Sequence, residues 1–209
     1  MFITLEGVEG SGKTTVAKGV IEALEAKGYQ VIYTREPGGN PIAEAIRGII
    51  LDRVNTDMDA RTEALLYAAA RRQHLVDVIQ PALLTGKVVI CDRFVDSSIA
   101  YQGHARGIGV DLIEEINHFA TGDIKPDLTF LIDVQPEVGL TRINKDQNRE
   151  INRLDLEAAQ FHQAVYKGYQ ALAEKNPDRI CVINGENSIP IVVAEVLNLL
   201  EARLSDEQS

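Results

Sequence analysis

The chain has 209 residues, 45% of them hydrophobic, enough for one sizeable core and hence a single expected domain over residues 1–209. Its formal net charge of −10 argues against a nucleic-acid or anionic-membrane partner, because both polyanions would repel it. No apolar run approaches the roughly 20 residues of a membrane helix, and the opening MFITLEGVEG lacks the basic leader region of a signal peptide, so a cytoplasmic protein is expected.

Short β-branched runs alternate with longer helical patterns. The first apolar run, 2–5, leads into Gly7-Val8-Glu9-Gly10-Ser11-Gly12-Lys13-Thr14 and a helical pattern over 14–26. A G-x4-G-K-T spacing between a strand and a helix start is the setting of a phosphate-binding loop. Its glycines let successive N–H groups face an anion, and the helix adds the positive end of its dipole. Lys13 can reach terminal phosphates, and the Thr14 hydroxyl can ligate magnesium. Residues Gly7 to Thr14, with Thr15, are therefore expected around the phosphates of ATP.

A second strand, 30–34, brings Arg35 and Glu36 to Pro37-Gly38-Gly39, a turn that fixes them at the sheet edge. Helical patterns follow over 42–51, which carries Arg47, and over 59–84. On the longer one Tyr67 precedes Arg71 by one turn, so ring and guanidinium share a face. Such a pair can bed a nucleobase, ordinary packing being the alternative. The next strand, 88–91, runs into Asp92, a carboxylate where open α/β sheets place ligand chemistry, and Arg93 follows. Asp92 can complete a magnesium shell. It is followed by Arg-Phe-Val rather than x-x-Gly, and Asn144-Lys145-Asp146-Gln147 lacks the final Asp of a guanine-recognition motif, which disfavours a GTPase.

Helical patterns over 111–120, 137–143, 154–174 and 189–204 then alternate with strands over 128–134 and 179–183. The order predicts an α/β protein whose five-stranded parallel sheet is flanked by helices. Cys91 and Cys181 lie in apolar runs and read as small buried strand residues. One stretch, 144–152 (NKDQNREIN), has no apolar periodicity and reads as a solvated loop or an active-site lid. Arg142, Arg149 and Arg153 flank it or lie within it.

Several ordered segments share a likeness: FITLEGVEGSGKTT at the start, TREPGG at 34–39, EALLYAAARRQH at 63–74, CDRFVDSSIAYQG at 91–103, RGIG at 106–109, PDLTFLIDV at 126–134 and NRLD at 152–155. Together they resemble the bacterial thymidylate kinases over essentially the whole chain. The resemblance implies a P-loop NTPase fold of the nucleoside monophosphate kinase type with a mobile lid at about 144–152. It also implies transfer of the γ-phosphoryl group of ATP to dTMP with Mg2+, and a homodimer. By the same likeness Arg71 would bond the thymine edge, with Ser98 and Gln102 completing its recognition, and Tyr67 would stack on the base, where the family most often has Phe. Arg47 and Arg93 would hold the monophosphate, Tyr101 would crowd the 2′ side of the sugar, and Glu9 would contact the 3′-hydroxyl or a nearby water. Glu36 would lie near the metal and the acceptor phosphate. The loop carries Glu9 and no arginine, so the cation completing transfer is expected from the lid: Arg149 first, Arg153 next. Adenine is expected between the lid helix and the loop at 184–187. The closest rival is a kinase for another nucleoside or nucleotide on the same fold; an ATP-binding module without transfer activity is more distant.

Overall fold

In the computed structural model, which describes residues 1–145 and 152–206, the apolar runs form one sheet. Its strands are β1 (Phe2–Glu6), β2 (Val31–Arg35), β3 (Val88–Asp92), β4 (Leu128–Asp133) and β5 (Ile180–Asn184), ordered β2-β3-β1-β4-β5 and all parallel. The register sets Leu5 beside Asp92 and Phe130, and Arg35 beside Asp92, so the carboxyl ends of the three strands that carry site residues lie side by side. Strands of this kind are apolar throughout because both faces are covered. Ile3 and Leu5 meet α1 (Lys13–Ala26) and α9 (Ile189–Asp206), where Val16, Val20, Leu24, Val192, Val196 and Leu200 complete one core. The alternate residues face the other way: Phe2 packs with Leu75, Ile79, Val89, Cys91 and Phe94, and Glu6 ends the strand on that side beneath α8 (Ala159–Lys175).

Capping explains where the helices start. Asn40 Oδ1 accepts the Ala43 N–H at 2.8 Å, and Pro41 opens α2 (Pro41–Leu51), a position whose missing N–H is harmless. Asp59 accepts from the Arg61 and Thr62 N–H groups to start α3 (Ala60–His74). The helix predicted over 59–84 is continuous but not regular. A π turn at Leu75–Ile79 joins α3 to α4 (Gln80–Leu84), and the Gln80 N–H reaches the Leu75 carbonyl. Pro81 supplies the reason, since proline lacks an N–H and its ring crowds the preceding turn.

Two further differences have physical causes. The helix predicted over 154–174 begins only at Ala159, because Asn152 starts a separate 3-10 turn at Arg153–Leu156: its Oδ1 accepts from Leu154, while Asp155 accepts the Asn152 N–H at 2.9 Å. Helix α5 (Val95–Ser98) and the π-helical segment Ile99–Ala105 that continues it have no counterpart among the predicted elements. Residues Ile99 to Gly103 are all buried, and a helix covered on all sides shows no amphipathic period. The remaining helices are α6 (Val110–Thr121) and α7 (Pro136–Lys145). Of the expected lid, residues 146–151 lie outside the described residues. Cys91 is buried, Cys181 half-buried, and both are free. Among the described residues no helix is long and apolar enough to cross a membrane.

Helix α7 meets the loop after β1 backbone to backbone. A Cβ added to Gly139 would lie 2.2 Å from the Glu9 carbonyl oxygen, and one on Gly10 2.2 Å from the Gly139 carbonyl oxygen. Neither neighbour is a flexible side chain that could swing aside. Overpacking of this kind costs about 1–3 kcal/mol. Gly139→Ala is therefore expected to lower Tm by roughly 2–4 °C for each kcal/mol lost, read by calorimetry; an unchanged Tm would contradict the contact.

Candidate active site

The loop after β1 is built around a buried lysine. Lys13 Nζ donates to the carbonyls of Gly7 and Val8, each at 3.0 Å, and to Ser11 Oγ at 3.2 Å. Gly10 and Gly12 take φ values of 71° and 95°, the left-handed region open to glycine. Burial pushes the Lys13 ammonium down to about 8, and Arg93 adds to the effect against the pull of Asp92 and Glu9. At the first turn of α1, Thr14 Oγ1 donates to Asp92 Oδ2 at 3.0 Å, and Thr15 joins Gly12, Lys13 and Thr14 in the cleft wall. The two residues expected at a metal thus lie together, and a hydroxyl beside a carboxylate is a hard oxygen set of the kind magnesium takes.

Arg93 directs the next layer. It is the one described non-glycine residue with positive φ, at 72°, a conformation that costs on the order of 1–3 kcal/mol. Its N–H donates to the Leu5 carbonyl at 3.0 Å and its carbonyl accepts the Cys91 thiol at 3.1 Å, which holds the turn. The guanidinium donates to Glu9 Oε1 at 3.1 Å, to Tyr169 Oη at 3.0 Å and to Ser97 Oγ at 3.2 Å, and lies 5.1 Å from the centre of the Tyr101 ring. Tyr101 also donates to Glu9 Oε1 at 2.6 Å. Burial raises the Glu9 carboxyl, but Arg93, Tyr101 and Lys13 together bring it below the ordinary carboxylate range.

Behind Arg93 sits a group that the sequence reading passes over. Glu6 is fully buried and accepts from the Phe94 N–H at 2.8 Å, Ser97 Oγ at 2.6 Å and Tyr169 Oη at 2.8 Å. Burial, with Asp96 nearby, pushes its pKa to about 7. The available signal was an acid ending an apolar strand directly before the glycine loop.

A cleft of about 730 Å³ runs along the carboxyl ends of the strands, lined by the phosphate loop, Arg35, Glu36, Arg47, Tyr67, Asp92, Arg93 and Arg142. It adjoins a recess of about 30 Å³ that shares Glu9, Glu36, Tyr67, Arg93 and Leu154 with it and adds Arg71, Ser97, Ser98, Tyr101 and Gln102. Every substrate-site residue taken from the family likeness therefore lines one space or the other. Arg47 donates to the Pro37 carbonyl at 2.9 Å. At the far end, Arg142 donates to the Gly185 carbonyl at 3.1 Å beside Ile143, Asn187, Ser188 and Ile189, the neighbourhood expected to hold adenine.

Three of the expected residues are engaged by other side chains. Glu36 commits one oxygen to Arg71 Nε at 2.7 Å and the other to His74 Nδ1 at 3.0 Å; it holds the base-side arginine while lining the cleft with Asp92 and Arg93. Arg71, 1% exposed, also donates to Ser98 Oγ, Asn117 Oδ1 and the Phe94 carbonyl, which leaves one N–H of Nη2 for the recess. Arg153, expected as a lid cation, is 4% exposed and bonded to Glu63 and to the Ile50 carbonyl. Its charge is drawn inward by a buried carboxylate. Arg149 lies outside the described residues.

The thymidylate kinase family model matches residues 5–196. A thymidylate kinase of Halalkalibacterium halodurans is 56% identical over 204 residues, 98% of this chain and 97% of that protein. One of Oceanobacillus iheyensis is 53% identical over 208 residues, 100% of this chain and 92% of that protein. Among solved structures, thymidylate kinase from Ehrlichia chaffeensis superposes with a TM-score of 0.77 at 38% identity, covering 96% of this chain and 98% of that one.

The position of Lys13 gives a pH test. A lysine held at about 8 is charged below that pH and neutral above it, so affinity for an anion is lost as pH rises through 8. The dissociation constant of a nonhydrolysable nucleoside triphosphate, measured by calorimetry, should rise by up to about tenfold per pH unit above 8. Lys13→Arg should flatten the profile; a flat wild-type profile between pH 7 and 9.5 would refute the reading.

Proposed function

The chain belongs to the thymidylate kinase family, and we propose that it moves the γ-phosphoryl group of ATP onto dTMP, giving dTDP and ADP, with the groups described above. The observation that carries this is the position of Arg93 and Glu9, which line both the phosphate-loop cleft and the recess of Tyr67, Arg71 and Gln102. They stand where the phosphates of donor and acceptor would meet.

No general base is needed, because the second pKa of a phosphate monoester is near 6 and the acceptor is largely dianionic at pH 7. The task is to bring two anions together and stabilise charge spread over the moving group. Lys13 exchanges its loop carbonyls for the β- and γ-phosphates. Thr14 and Asp92 would hold magnesium, which would supply neutralisation of the phosphate charge. Arg93, fixed by Glu9, Ser97 and Tyr169, and Arg47 take the acceptor phosphate, while Tyr101 and Glu9 bound the sugar. With Arg153 bonded to Glu63, Arg149 is the lid cation of this proposal. Transfer in the reducing cytoplasm agrees with two free cysteines.

A second copy of the chain completes the reading. Ile42 and Ile49 on α2, Leu65 on α3, and Leu112 and Phe119 on α6 are exposed, Phe119 to 93%. Helix α3 packs beside both α2 and α6, and pairing such apolar faces is the ordinary way to bury them.

The deciding measurement is ADP release coupled to acceptor, comparing dTMP with thymidine, dUMP and CMP. We expect dTMP to give the highest kcat/KM, and preference for another acceptor would move the chain to a sister kinase. Arg93→Ala should keep the circular-dichroism spectrum and lower kcat/KM for dTMP by about 10²–10³-fold or more. Phe119→Asp should halve the sedimenting mass; a wild-type chain that sediments as a monomer would remove the homodimer.

A further inference from the structure

Three side chains distant from it in sequence converge on Glu63, which is 0% exposed. Gln102 Nε2 donates to its Oε1 at 2.8 Å, Arg106 to Oε1 at 3.2 Å and Oε2 at 3.1 Å, and Arg153 to Oε2. Arg106, the arginine of the RGIG segment, also pairs with Glu157 at 2.5 Å and covers the Phe161 ring at 4.4 Å. Glu63 itself lies one turn before Tyr67 and two turns before Arg71 on the same face of α3. Burial raises its pKa, but the hydrogen bonds from Arg106, Arg153 and Gln102 outweigh this and hold the carboxyl below its ordinary range. An ionised carboxylate accepts and never donates.

We propose that Glu63 is a positioning residue for acceptor specificity, fixing the Gln102 amide so that Oε1, and not Nε2, is the atom offered to the recess. The inference rests on reading Arg71 and Gln102 as the base-contacting pair. A carboxylate can face only the NH2 end of an amide, so the orientation of Gln102 follows from chemistry. The recess then presents the remaining Arg71 N–H as donor and Gln102 Oε1 as acceptor. That pair complements a carbonyl next to a ring N–H, the imide edge of thymine or uracil. It opposes cytosine, whose amino group and bare ring nitrogen reverse the pattern. Arg106 and Arg153 serve the same end, since a protonated Glu63 could donate and let the amide turn over.

The test compares kcat/KM for dTMP and dCMP in wild type, Glu63→Gln, Glu63→Asp and Gln102→Leu. Glutamine at 63 can face either end of the Gln102 amide, so the dTMP:dCMP ratio should fall by about tenfold or more. Glu63→Asp keeps an acceptor-only group and should retain much of the ratio. A loss of folded protein alone lowers both rates together and leaves the ratio unmoved. An unchanged ratio in Glu63→Gln with a lowered one in Gln102→Leu overturns the inference and spares the base-contact reading. An unchanged ratio in both overturns the base-contact reading and the inference with it. Should Glu63→Gln fail to fold, the Glu63→Gln/Arg153→Met pair, which removes one uncompensated cation, carries the same comparison.

Discussion

Five arginines of this protein, two buried and three half-buried, are each held by a carboxylate, and the site depends on that pairing. Arg71 is bound to Glu36, Arg93 to Glu9, Arg106 and Arg153 to Glu63, and Arg179 to Asp96. An isolated guanidinium could not be withdrawn from water at such depth, whereas a paired and fully hydrogen-bonded one can. The arrangement explains how a chain of net charge −10 builds a pocket for two highly charged anions. Its acids are not spread evenly: several lie behind the cations and orient them, and the cleft-facing N–H groups remain for ligand.

The pairing also orders the chemistry in space. Glu6 at the end of β1 fixes Ser97 and Tyr169, and these with Glu9 fix Arg93. Glu36, on the loop after β2, fixes Arg71 and His74, and His74 in turn bonds Thr34 Oγ1 at 2.6 Å. Strand ends thereby hold helix side chains, and a rigid sheet sets the distance between the phosphate loop and the acceptor recess. Preorganised donors of this kind need no rearrangement when charge develops in transfer.

What the sequence disclosed was whatever local spacing carries. The phosphate loop, the Asp92-Arg93 pair at a strand end and the alternation of strands with helices depend on neighbours along the chain, and the structure places all of them as read. Glu63 was not legible, because in EALLYAAARRQH it looks like an acid in the first turn of a helix, where the dipole favours one. Its role comes from Gln102, Arg106 and Arg153, which only tertiary packing brings near. The buried place of Arg153 has the same cause: charge in a polar stretch reads as solvated or catalytic, and nothing local announces a buried partner. The helix over 95–105 was missed because burial on every side erases the periodicity by which helices are found.

The small recess has a consequence for how the acceptor binds. The recess and the larger cleft share Glu9, Glu36, Tyr67, Arg93 and Leu154, so a base at Arg71 and Gln102 would lie directly beside a phosphate at Arg93. Leu154 lines both cavities from the 3-10 turn at Arg153–Leu156. On the proposed function, selectivity and affinity then answer to different parts of the molecule: the donor and acceptor atoms at the recess floor choose the base, while the arginines of the cleft hold the phosphate.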